Sequence, residues 1–184
     1  MTTEEGASRL MKSLGEHNKF WTQDMEKSGL EPALMTVMRE LASIVGEAPV
    51  MLCVGNLVHN VDHGKETYDA DGNVVWPEKP NQYDTIVITD QLVVSTWGHI
   101  SEDGLSVERE TTSVKARKHI TGVLVVMEPE QLRDSGAVAT HHDLKLTFTD
   151  GSTEDLPASE NELSVLGGAK LAELVPGFYA DMAA

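Results

Sequence analysis

Cysteine is nearly missing from this chain: Cys53 is the only one, which excludes an intramolecular disulfide and any metal site built from several thiolates. Aromatic residues are also scarce, at 5% of the sequence, so the 40% apolar content predicts a mainly aliphatic core. Positive charge is short as well. Against 30 Asp and Glu stand 14 Lys and Arg, a net charge of −16, and a field of that sign repels polyanions, so direct nucleic-acid binding is not expected. The uncharged stretch 48–61 contains two Asn and a His and falls short of the roughly 20 apolar residues that span a bilayer, so no stable membrane association is expected. Residues 1–9 carry Glu4 and Glu5 and no leader-like apolar segment. With a lone cysteine, that makes the cytoplasm the expected location.

Reactive motifs are missing too. There is no Gly-x-Ser-x-Gly, and Gly167-Gly168-Ala169-Lys170 lacks the spacing of a phosphate loop. Cys53 lies inside an apolar segment, where burial raises a thiol's pKa and leaves it inert. Thirty scattered carboxylates select no acid–base pair. The expectation is a protein that is not an enzyme and needs no cofactor.

What is present is a change of period along the chain. Leu10, Leu14, Trp21 and Met25 recur near one helical face, and Leu34, Val37, Met38, Leu41, Ile44 and Val45 do so again. These predict helices over 4–27 and 31–46, separated at Ser28-Gly29, with Pro32 in the first turn and Gly46 as the cap. From Pro49 onward the pattern is extended. Strands are predicted within 50–61, 85–97, 106–114, 118–127 and 144–156, with 85–97 either folding back at Thr89-Asp90-Gln91 or running on through a bulge. Asp150-Gly151 after the alternating Leu144, Leu146 and Phe148 predicts a hairpin. Ser159 with Glu162 forms a capping-box pattern ahead of Leu163, Leu166, Leu171, Leu174 and Val175, which predicts a last helix over 160–175 that ends or kinks at Pro176-Gly177. Gly167-Gly168 predicts close packing of that helix on the sheet.

The fold expected is α+β: two N-terminal helices, a mainly antiparallel sheet or partly open barrel, and a C-terminal helix. Within it, up to seven short antiparallel strands closed by one amphipathic C-terminal helix is an order that resembles the bacterial pleckstrin-homology-like (PH/GRAM-like) domains. Residues 85–95, Thr-Ile-Val-Ile-Thr-Asp-Gln-Leu-Val-Val-Ser, look like their early strand, Thr-Asp turn and strand, and 144–151, Leu-Lys-Leu-Thr-Phe-Thr-Asp-Gly, like their late hairpin. The resemblance covers about 48–176 and divides the chain into an N-terminal helical extension, 1–47, and a PH-like β domain with its C-terminal helix, 48–184. Two features depart from the family: the helical extension, and an acidic 62–82 loop where phosphoinositide-binding members are basic. The resemblance implies binding of proteins, peptides or lipid headgroups rather than catalysis.

Candidate sites are few. His59 and His63 are four apart, but in an extended segment that spacing is too wide to share an ion, and they read as ordinary polar histidines. His141-His142-Asp143 would point to alternate faces of a strand and reads as solvated loop. Asp69-Ala70-Asp71-Gly72-Asn73 has its glycine too early for a calcium loop and reads as a turn. The one basic cluster is Lys115-Ala116-Arg117-Lys118-His119. In a strand, Lys115, Arg117 and His119 would share a face able to hold a phosphate or an acidic peptide; the plainer reading is a solvated strand paired with acids such as Glu108 and Glu110. Trp21, Trp76 and Trp97 are the large anchors that interfaces favour, and Trp76 sits in a polar loop as either an exposed contact or a lid.

These observations lead to a small non-catalytic binding protein, bacterial or phage-encoded, that docks onto a protein partner. Alternatives are an acidic decoy mimicking nucleic acid and a lipid-headgroup module. Residues 31–46 are expected to cover the open side of the sheet, and residues 4–27 to pair with a copy of themselves or a partner, making a homo-oligomer.

Overall fold

The computed structural model describes residues 2–18, 21–59, 68–75, 77–131, 138–156, 163 and 165–183. Helices α1 (Thr3–His17), α2 (Trp21–Ser28) and α3 (Glu31–Val45) come first. Strands β1 (Val50–Val58), β2 (Gln82–Thr89), β3 (Leu92–Ile100) and β4 (Val107–Ala116) form an antiparallel sheet in sequence order. A 3-10 turn at Arg117–His119 leads to a second antiparallel sheet of β5 (Ile120–Gln131), β6 (Val138–Phe148) and β7 (Thr153–Leu156), and helix α4 (Val165–Ala183) closes the chain. Helices with antiparallel sheets is the expected class; the sheets do not close into a barrel.

The first sheet is covered on both faces, which explains why its strands read as apolar runs rather than a strict alternation. Neighbouring residues point to opposite sides. Cys53, Tyr83, Val87, Val94 and Ile100 join the helices in one core. Leu52, Val54, Ile86, Ile88 and Val93 join Leu144, Leu146, Phe148 and the α4 residues Leu171, Leu174 and Phe178 in another. The chain is thus layered as helices, four strands, then three strands with α4. The first core spans both sides of the expected 47/48 boundary.

Several boundaries differ from the sequence reading. The helix expected over 4–27 is two, because the chain leaves α1 at Asn18, a buried cap whose Nδ2 donates to Leu14 O and whose Oδ1 accepts from Gly55 N of β1. Its apolar stripe is turned inward: Ala7, Leu10, Leu14, Trp21 and Met25 are all buried in the first core, so the face expected to pair with another chain already has a partner inside this one. Segment 85–97 folds back at Asp90-Gln91, where the Thr89 hydroxyl accepts the amides of Gln91 and Leu92. The Asp150-Gly151 hairpin forms as expected, with Gly151 at φ 79.

The last helix runs to Ala183, past Pro176, which lies inside it. Proline removes one helical hydrogen bond, but Phe178 beyond it is completely buried and Asp181 is ion-paired to Arg117, so tertiary contacts hold the final turns. The capping pattern Ser159/Glu162 lies outside the described residues. Gly167 does mark a close approach, though to α1 and not to the sheet: a Cβ there would lie 2.2 Å from His17 O.

Candidate functional site

Because residues 117–119 turn as a 3-10 segment, the basic cluster does not share a strand face. Its members diverge. Lys115, still in β4, lies over the Phe148 ring at 4.7 Å and reaches Ser152 Oγ and Asp150 Oδ2 (3.9 Å) on the β6–β7 hairpin. Arg117 turns inward, its side chain only 7% exposed, with Nη2 2.8 Å from Asp181 Oδ2. Its Nε donates to the same oxygen, Nη1 donates to Thr89 O at 3.1 Å, and the guanidinium sits 5.0 Å from the Phe178 ring centre. Lys118 and His119 remain exposed. Geometry therefore makes Arg117 a clamp between the end of β2, the turn and α4. The sequence expectation of a shared phosphate- or peptide-holding face is corrected: among the described side chains Lys115 meets Asp150 and Arg117 meets Asp181, while the side chain of Glu110 lies outside the described residues. Trp76 lies outside the described residues, as do His63 and the side chains of His141 and His142.

The remaining motifs resolve as structural parts. His59 Nδ1 is 2.8 Å from Pro77 O. Asp69 Oδ1 accepts the amides of Asp71 and Asn73, a turn that holds its carboxyl below the usual range. Cys53 is completely buried, and burial pushes its thiol far up. Among the described residues no group of three or more His, Cys, Asp and Glu is placed to hold a metal ion.

His17 is a buried node that sequence reading passed over. Its Nδ1 lies 3.2 Å from Cys53 N, 3.3 Å from Cys53 O and 3.2 Å from Ser13 Oγ, so the end of α1 is pinned to the outer edge of β1. Burial lowers its pKa, helped by Lys170 and opposed by the Cys53 backbone and Glu16. A histidine held neutral by the fold but free to protonate when unfolded contributes stability that is complete above the unfolded pKa, about 6.5. That contribution is lost as pH falls through the lowered folded value. We expect urea-derived stability to drop as pH falls below about 6.5, and the His17→Gln chain to show a flatter slope there. Equal slopes would refute this assignment.

A second feature missed in the sequence is a row of side chains that the upper layer leaves open. On the sheet face turned away from the helices, successive cross-strand rows are Leu52–Ile88–Val93, Val54–Ile86–Ser95 and Asn56–Asp84–Trp97–Thr111. The first row is buried beneath β5–β7 and α4. At the second, Ser95 Oγ donates to Glu154 Oε1 of β7 at 2.9 Å. One row farther, Trp97 is 43% exposed. Asp84 opposite it is positioned by Asn56, whose backbone N (3.2 Å) and Nδ2 (3.4 Å) donate to Oδ1. His99 stands edge-on to the indole, with ring centres 6.2 Å apart at 63°. The row thus presents an aromatic surface with a carboxylate from Asp84 across the strand and another from Glu154 one row back. Sequence alternation alone could have put Trp97 on this face, but not revealed where the covering sheet stops.

No family model, no curated protein and no solved structure matches the chain.

Proposed function

We propose that this chain is a non-catalytic, cytoplasmic docking module of pleckstrin-homology-like type, and that it binds another protein by receiving a cationic side chain over Trp97. Four antiparallel strands, then three, then one helix is an order that supports the likeness. The observation that carries the docking reading is the open row: a tryptophan 43% exposed on an inner strand, one row beyond the buried Val54 and Ile86. Large exposed aromatics are typical anchors of interfaces. Charge chooses the partner. A chain at −16 draws cationic surfaces toward it, Asp84 is the cross-strand neighbour of Trp97 and Glu154 is bonded one row back at Ser95, and an indole face favours a guanidinium or ammonium group. The lipid-headgroup alternative relied on a shared 115–119 face and loses that support now that Arg117 is internal. Among the described residues no helix is long and apolar enough to cross a membrane.

Deleting residues 1–28 is a poor test, because Leu10, Leu14 and Trp21 belong to the core. Trp97→Ala is the better one, since the ring is largely outside it. Affinity capture from the native cell with both forms should show a protein retained by the intact chain and bound about 30-fold more weakly by the variant, the loss of roughly 2 kcal/mol typical of a central anchor. Binding should also weaken as salt rises. Equal retention by both forms, or metabolite turnover by the purified chain, would overturn the reading.

A further inference from the structure

The outer faces of the helices are not alike. On α1 the exposed positions include Glu4, Glu5, Lys12 and Glu16, and on α3 they include Glu31, Arg39 and Glu40, as a solvated helix requires. Helix α4 is different. Its exposed positions are Leu166, Ala169, Ala172, Glu173, Pro176, Tyr179, Ala180, Met182 and Ala183, with Leu166 44%, Tyr179 49% and Met182 41% exposed. A helix with so few charges is normally covered on most sides, yet among its described side chains only Gly167, Leu171, Leu174 and Phe178 are buried.

The geometry points to a second copy of this chain as the occupant, with two α4 helices packing antiparallel about a two-fold axis. Charge is the first reason. All three ionic side chains of α4 are paired within the protomer, Lys170 with Glu173 at 2.9 Å and Asp181 with Arg117 at 2.8 Å, so this face carries no net charge on a chain at −16. Elsewhere the net charge makes two copies repel, whereas a cationic partner would find nothing on α4 to match its charge. Shape is the second. Large residues mark the ends of the face and small ones its middle, so an antiparallel pair sets Tyr179 over Ala169 of the partner subunit and Ala172 beside Pro176 of the partner subunit. A parallel pair would set Tyr179 against its own copy. One isologous patch of this kind closes a dimer and stops. The helix is about 28 Å long and its face alone is smaller than a standard interface, so the dimer is expected to dissociate on dilution.

Sedimentation velocity of the full chain over a concentration series tests this. A monomer–dimer equilibrium is expected that strengthens with added salt, because screening relieves the repulsion between copies; the cation contact at Trp97 has the opposite salt dependence. Ala172→Glu places an unpaired carboxylate in the middle of the face and should weaken the dimer by about tenfold or more, with circular dichroism unchanged because the position is exposed. Ser8→Glu, exposed on α1, should leave the dimer as it is. A chain that stays monomeric throughout the series, or an Ala172→Glu chain that dimerises like the parent, would overturn the proposal.

Discussion

Arg117→Ala is expected to lower the stability of the chain by about 3 kcal/mol, the low end of the range for breaking a buried ion pair, since Asp181 is still 26% exposed. The loss has several parts. Asp181 is left in α4 without its cation, Thr89 O loses the Nη1 donor, and the space over Phe178 empties. For a protein of this size such a change shifts Tm by about 6–12 °C. Urea denaturation should separate it clearly from Lys115→Ala. That variant also empties the space over Phe148 and removes the Ser152 contact, but the carboxylate it leaves behind, Asp150, is 66% exposed to water, so its cost is expected to be smaller, about 1–2 kcal/mol. Similar losses for the two variants would show that Arg117 is not the clamp between the sheet and α4.

Substituting the adjacent glycines of α4 should give effects of opposite sign. In isolation Ala favours a helix over Gly by about 1 kcal/mol at either position. At Gly168 a Cβ meets nothing within 4 Å, so Gly168→Ala is expected to gain up to about that amount. At Gly167 the same Cβ would sit 2.2 Å from His17 O and 3.0 Å from His17 C. Those are backbone atoms of α1 and cannot rotate away, so α1 and α4 must separate. Overpacking of this kind costs about 1–3 kcal/mol or more and outweighs the propensity gain. Because His17 also pins α1 to β1, the disturbance should reach the β1 edge, visible as faster amide exchange at Cys53 and Gly55. Two stabilised variants would mean that α1 and α4 do not pack as described.

Local chemistry made much of the fold legible. Period-3.6 spacing marked Leu34 to Val45 as a helix, apolar runs around Leu52 and Val87 marked buried strands, and Asp150-Gly151 marked its hairpin, because each signal acts through neighbours in the chain. The basic cluster shows where such reasoning fails. Lys115, Arg117 and His119 share a face only if the backbone stays extended, and the change of direction between the two sheets at 117–119 removes that condition. Pro176 does not end the helix for a related reason: its intrinsic cost is real, but the burial of Phe178 and the Arg117–Asp181 pair lie outside any local window and outweigh it.

By itself, then, the sequence determined composition-level properties and the elements: a strongly acidic chain with one cysteine, helices followed by antiparallel strands and a final helix, and an aliphatic core. Those follow from summed charge and from periodicity, which need no knowledge of distant contacts. Only the tertiary structure decided which apolar surfaces are used up and which remain. The stripes on α1 and α2 vanish into the first core, while Trp97 stays exposed and α4 keeps an apolar outer face. Exposure depends on where a second layer ends, and that edge is set by residues far apart in the chain, such as Ser95 and Glu154, meeting across two sheets.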